Sequence, residues 1–307
     1  MKSLQSVYLY AFVLALILCL HSEYWVSSQS CDTWSYFTLV DSGTNYSSCN
    51  YSNLEGVRIL PGVVSERKFG QHSYLGALVL PSVNPVVCEI VLIDQLWGLV
   101  AAHCAVKLQA KLNDTFVQFG DDSSEKVIIN GTQVYPAYIG LDRILPHPEF
   151  DKSTRKNDIA LVRFKKPVTY SKYLSAVCLL VGNNTPSDSF YESQSVLFVG
   201  IRNYTREKVT WKDKLINTIG TSQCRKEIND AFNEEIDSRV ICLENERREC
   251  FGEESGIALL VMNSVVYLGG ILSRAFECGL HEKIYLYPAI FTKTASYMEF
   301  IRNTTVV

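Results

Sequence analysis

No stretch of this 307-residue chain is long and apolar enough to span a bilayer. The longest uncharged, largely apolar run, Val7 to Leu20, has 14 residues, against about 20 for a helical span. There is no surplus of positive charge either. Lys and Arg total 29 against 32 Asp and Glu, a net charge of −3, and no basic run concentrates what is there. Both facts argue against a nucleic-acid partner. No Gly-rich phosphate loop is present. No CxxC pair suggests zinc or thioredoxin chemistry, and no metal or cofactor is implied. Helical periodicity is scarce: one clear candidate stands at the end, where Tyr297, Phe300 and Ile301 share a face at i, i+3, i+4.

What is present points outside the cell. Lys2 followed by the short apolar run, with small residues at Val26-Ser27-Ser28, reads as a secretory signal covering residues 1–28, its cut site open by several residues. The mature protein is then expected to be secreted, with no membrane contact. Seven Asn-x-Ser/Thr sequons, at Asn45, Asn50, Asn113, Asn130, Asn183, Asn203 and Asn303, agree with export. Ten cysteines are present, one of them, Cys19, inside the signal. Secretion makes disulfides the default for the other nine, and the odd number leaves one unpaired or paired between chains. Hydrophobic residues make up 47% of the chain, enough for a sizeable core.

Residues 29–58 are polar, with Cys31 and Cys49 as anchors, and read as a pro-segment or light chain too short for its own core. From Ser73 onwards short Val/Ile/Leu/Tyr-rich runs alternate with Gly, Pro, Asn and Asp. They include Tyr74–Leu80, Cys88–Ile93, Phe116–Phe119, Ile159–Phe164, Ser195–Val199, Ile257–Met262 and Val265–Ile271. Many short strands with turn punctuation predict a sandwich or barrels. The linker-like Gly182-Asn183-Asn184-Thr185-Pro186 divides them into two β halves.

Three motifs fall in order along these strands: Ala101-Ala102-His103-Cys104, Asn157-Asp158-Ile159-Ala160-Leu161, and Cys250-Phe251-Gly252-Glu253-Glu254-Ser255-Gly256-Ile257. Together they resemble the chymotrypsin-like (S1) serine peptidase family. Leu145-Pro146-His147-Pro148, Ala176-Val177-Cys178-Leu179-Leu180 and Pro288-Ala289-Ile290-Phe291-Thr292 extend the resemblance from about Ile59 to the C-terminus. It implies an all-β fold of two antiparallel six-stranded β-barrels with a C-terminal helix, spanning residues 59–307. His103 matches the general base and Asp158 the carboxylate that fixes its tautomer and stabilises the imidazolium. Ser273 matches the Ser opening the strand that lines the substrate cleft.

The third motif departs from the family's Cys-x-Gly-Asp-Ser-Gly-Gly-Pro. Read without a gap, the nucleophile position is Glu254, and the oxyanion-forming positions are Gly252 and Glu254. A carboxylate is a poor attacker of amides, since any anhydride would revert, and next to His103 it favours the imidazolium, which is no base. A one-residue insertion after Gly252 makes Ser255 the nucleophile instead. Gly252 then stands three residues before it, and losing one oxyanion donor costs about 10²–10³ in rate. The specificity pocket is altered too. Arg248 stands at its floor, Ala275 and Ala289 replace wall glycines, and Arg274 takes the place of an aromatic.

By resemblance, cleavage after Arg58 would free Ile59 to pair with Glu253, although Pro61 stiffens the new terminus. The same resemblance pairs Cys88 with Cys104, Cys224 with Cys242, Cys250 with Cys278, and Cys178 with Cys49. Cys31 is left for an intermolecular bond; the alternative is Cys31–Cys49 with Cys178 free. The expectation is a proteolytically inactive homologue acting by binding extracellular proteases, zymogens or inhibitors. The alternatives are an active endopeptidase using Ser255 and a glycosylated structural module.

Overall fold

The structure is a computed structural model, and it describes residues 65–66, 72–81, 86–120, 126–171, 173–181, 188–192, 194–205, 208–244, 256–262, 265–275 and 287–305. Strand β1 is Ser65–Glu66. Strands β2 (Leu75–Val79), β3 (Val86–Asp94), β4 (Trp97–Val100), β5 (Phe116–Phe119), β8 (Ala137–Pro146) and β9 (Ala160–Phe164) close a barrel in the order β2-β3-β4-β9-β8-β5. All its pairs are antiparallel. The closed ring removes exposed strand edges. Leu78, Ile90, Leu92, Val117, Phe119 and Phe164 share one face of these strands, none more than 1% exposed, and Leu75, Leu99 and Leu161 are buried on the other.

Two glycines make room for that filling. A Cβ on Gly76 would lie 2.7 Å from the Phe119 ring, and one on Gly98 would lie 2.7 Å from the Ile90 side chain. Small residues beside large ones are how a small barrel is packed solid. Between β5 and β8 a separate hairpin, β6 (Val127–Ile129) and β7 (Thr132–Tyr135), turns through Asn130 and Gly131, both with positive φ (51° and 78°). Asn-Gly is the dipeptide that a two-residue hairpin turn of this hand favours.

The second sheet contains β11 (Ser195–Thr205), β12 (Lys208–Ile219), β13 (Val240–Leu243), β14 (Ile257–Met262), β15 (Val265–Arg274) and β16 (Ala289–Lys293). Its order is β12-β11-β14-β15-β16-β13, and the β12–β13 pairing closes the ring. Phe198, Ile241, Leu243, Leu260, Leu272 and Phe291 form its core, with the Phe198 and Phe291 rings edge to face at 6.1 Å. The expected pair of six-stranded antiparallel barrels is therefore present.

The division at the linker, however, does not sort every strand. β1 pairs with β12, and β10 (Cys178–Leu179) pairs in parallel with β15, so two short segments from the first half belong to the second sheet. The linker itself, residues 182–186, lies outside the described residues.

Helices are more numerous than the sequence suggested. α1 (Ala102–Leu108) follows β4, α2 (Thr221–Phe232) follows β12, and α3 (Met298–Thr305) ends the described chain. α2 has little apolar periodicity because only Cys224 and Ile228 are buried on it. It stops where Asn233 adopts a left-handed conformation (φ 53°) and its N–H bonds Asn229 O, a common helix ending. Met298 and Ile301 are buried on α3. Among the described residues no helix is long and apolar enough to cross a membrane.

Candidate active site

β4 runs straight into α1, so His103 sits in the first turn of a helix at the barrel's rim. Its neighbour Cys104 is disulfide-bonded to Cys88 on β3, with Cα atoms 6.1 Å apart, which ties the helix to the barrel wall. Asp158 arrives on the loop before β9. Its side chain is fully buried and His103 is 4% exposed.

The two residues meet twice. The His103 backbone N–H donates to Asp158 Oδ1 at 2.8 Å, and His103 Nδ1 lies 2.7 Å from Asp158 Oδ2. A carboxylate accepts only, so the proton sits on Nδ1 and the tautomer is set. His103 Nε2 lies 3.3 Å from Cys104 Sγ.

The second barrel completes the arrangement. Ser273 Oγ, at the end of β15, donates to Asp158 Oδ2 at 2.6 Å. Thr292 on β16 donates from Oγ1 to the Asp158 carbonyl at 3.0 Å. Asn157, with φ 56°, is held by a bond from its Nδ2 to Glu149 O at 2.8 Å and accepts from Tyr297 OH at 3.2 Å. A buried carboxylate satisfied on both oxygens is a rigid acceptor, and rigidity is what orients an imidazole. Cys88, His103 and Cys104 bring their ligand-type atoms within 4.8 Å of one another. Both sulfurs are tied up in the disulfide, so neither can serve as a thiolate ligand.

Beyond Ser273 lies an open cleft, lined in part by Arg155, Glu234, Arg239, Ser273 and Arg274. Arg274 forms an ion pair with Glu234. Arg155 Nη1 lies 3.6 Å from Asp158 Oδ2 and donates to the Ser273 carbonyl at 3.1 Å. Ala275 packs against the second core, and Ala289 is buried on β16.

The structure thus brings His103, Asp158, Ser273 and Arg274 into one region. Gly252, Glu253, Glu254, Ser255, Arg248, Arg58 and Ile59 lie outside the described residues, as do Cys31, Cys49, Cys250 and Cys278. Cys178 is disulfide-bonded, and Cys224 is bonded to Cys242 with Cα atoms 6.3 Å apart. Of the sequons, Asn113, Asn130 and Asn303 are exposed, and Asn203 is in β11. Asn45, Asn50 and Asn183 fall outside the described residues.

Sequence reading missed Arg155, Glu234, Thr292 and Tyr297 at this site. Arg155 and Glu234 lie in irregular loops with no periodic signal. A second buried cluster was also missed: His72 Nε2 sits 2.9 Å from Asp213 Oδ2, and its Nδ1 is 2.8 Å from Tyr74 OH.

The trypsin family model matches residues 63–301. Among known relatives, phenoloxidase-activating factor 3 of Holotrichia diomphalia is 27% identical over 72% of this chain and 64% of its own length. The venom protease of Bombus pensylvanicus is 24% identical over 66% of this chain and 78% of its own. Venom serine protease Bi-VSP of Bombus ignitus is 23% identical over 82% of this chain and 69% of its own. The closed barrels, the buried His103–Asp158 pair at their junction and the family match lead to one assignment: the chain belongs to the trypsin family of chymotrypsin-like serine peptidases.

Proposed function

We propose that this chain is a secreted serine protease homologue that does not cleave peptides and acts by binding other proteins in an extracellular proteolytic cascade. One observation carries the reading. The chain keeps the His103–Asp158 pair, yet the uninterrupted alignment of Cys250–Ile257 offers Glu254 where attack requires a hydroxyl. Arg248 at the pocket floor supports it, since a positive floor repels the basic side chains that an acidic one would welcome, and so does Arg274, which stands in place of the aromatic that supports a substrate backbone. The name of one relative, an activating factor, fits a partner that is itself a protease or zymogen.

In this reading residues 1–28 are removed on export and the sequons carry glycans. Residues 29–58 form a pro-segment held by Cys49–Cys178 and cut after Arg58. Ile59 then pairs with Glu253, and Cys250–Cys278 braces the altered loop.

A fluorophosphonate probe tests the reading. The purified protein is cleaved at Arg58, labelled beside an active family member, and mapped by mass. The expected result is labelling of the control alone. A mass shift at Ser255 that disappears in Ser255→Ala overturns the proposal and makes the chain an endopeptidase with a displaced nucleophile.

A further inference from the structure

The end of β15 meets the His103–Asp158 pair through Ser273, whose Oγ donates to Asp158 Oδ2 at 2.6 Å. Among the described residues the pairing of this edge with β14 reaches Ile271, which pairs with Ile257, and Leu272 N–H then donates to Gly256 O at 2.8 Å. The next carbonyl is that of Ser273, which stands at the irregularity between Leu272 and Arg274 in the pairing with β16. It accepts from Arg155 Nη1 at 3.1 Å. An extended peptide adding to this edge would need that same carbonyl as its first acceptor.

Three observations converge on Arg155. Its guanidinium is anchored twice, to the Ser273 carbonyl and, at 3.6 Å, to the buried Asp158 carboxylate. A hydrogen bond from a charged donor is stronger than one from the neutral amide that a peptide would bring. Its backbone has φ 57°, a conformation that a long side chain adopts at a cost and that persists where the surroundings dictate it. Next to it, Arg274 is drawn across the cleft to Glu234, so the neighbouring position on the strand is closed as well.

We propose that Arg155 is a built-in occupant of the peptide-binding edge, an intramolecular plug that takes the Ser273 carbonyl and so excludes extended peptide ligands from β15. The plug acts on binding, before any chemistry, and is independent of whether Glu254 or Ser255 stands at the nucleophile position.

The probes are two fluorescein-labelled tetrapeptide amides, Ala-Ala-Pro-Glu and Ala-Ala-Pro-Leu, titrated by anisotropy against the full secreted chain cut at Arg58. Arg155→Asn and Arg155→Gly both tolerate the positive φ and remove the guanidinium, so either one decides if the other fails to fold. The expected result is affinity at least tenfold higher than that of the parent for at least one probe. That gain is expected to vanish when the probe's final residue is N-methylated, which removes the N–H aimed at Ser273. Equal affinity for parent and variants, or a gain indifferent to N-methylation, overturns the plug. Fluorophosphonate labelling reports separately on the nucleophile. Tighter peptide binding with labelling at Ser255 would therefore keep the plug and reject the inactive reading.

Discussion

Asp158 concentrates more demand than any other side chain in the site. Its two oxygens receive the His103 backbone N–H, His103 Nδ1 and the Ser273 hydroxyl, all within 2.8 Å, and none of this is open to water. Removing one member of a buried charged network leaves its partners desolvated and unpaired, at about 3–5 kcal/mol. Asp158→Ala should lose that much in chemical denaturation, whereas Ser273→Ala, which deletes a single donor, should lose about 1–2 kcal/mol. Equal losses would show that the carboxylate is no hub. Tyr297 gives a pH test. Burial pushes its phenol up to about 12, against the opposing pull of Arg239. Because the folded-state value is raised, its contribution is full below the unfolded value near 10 and is lost as pH rises towards 12. Two units correspond to at most about 2–3 kcal/mol. Between pH 9 and pH 11.5 the parent should therefore lose more stability than Tyr297→Phe; parallel losses would remove the argument. His103 and Asp158 were readable in the sequence because each lies in a contiguous motif whose neighbours specify it. Arg155 was not: its significance comes from a carbonyl 118 residues away, and nothing local to Thr154-Arg155-Lys156 announces that meeting.

At the level of elements, the strands were readable where one face is buried and turns bracket them. β5 and β14 have the boundaries that the apolar runs predict, Phe116–Phe119 and Ile257–Met262. β11 continues to Thr205, well past the apolar Ser195–Val199, because pairing with β12 extends beyond the apolar residues. α2 shows the opposite failure. Its anchoring rests on Cys224 and Ile228, and Cys224 is cross-linked to Cys242 on β13. Two buried side chains one turn apart are too sparse for periodicity to register, so a covalent bond does what an apolar face does elsewhere. The disulfide closes a loop with a separation of 18 residues, for which chain entropy predicts about 3 kcal/mol. Cys224→Ala combined with Cys242→Ala should lower stability by about 2–4 kcal/mol and speed amide exchange most in α2. Unchanged α2 protection would mean that the helix is held by packing alone.

For the molecule as a whole, the two barrels share their most demanding residue. Asp158 belongs to the loop that feeds β9 of the first barrel, yet its side chain is bonded by Ser273 of β15 and its backbone carbonyl by Thr292 of β16. β1 and β10 add to the second sheet although they come from the first half of the chain. The motif order made two β halves readable; the cross-over of these short strands was not, because segments of two residues have no pattern of their own and take their place from the sheet that receives them. Such interlocking predicts one cooperative unit. If it holds, the stability lost in Asp158→Ala is lost by both barrels. At about 1.4 kcal/mol per tenfold, a deficit of about 3 kcal/mol should speed the exchange of the best-protected amides roughly a hundredfold. Hydrogen exchange by mass spectrometry should show that acceleration equally in peptides covering β9 and β16. Acceleration confined to β9 would mean that the barrels open independently, and that the second barrel could keep its binding surface while the first is unfolded.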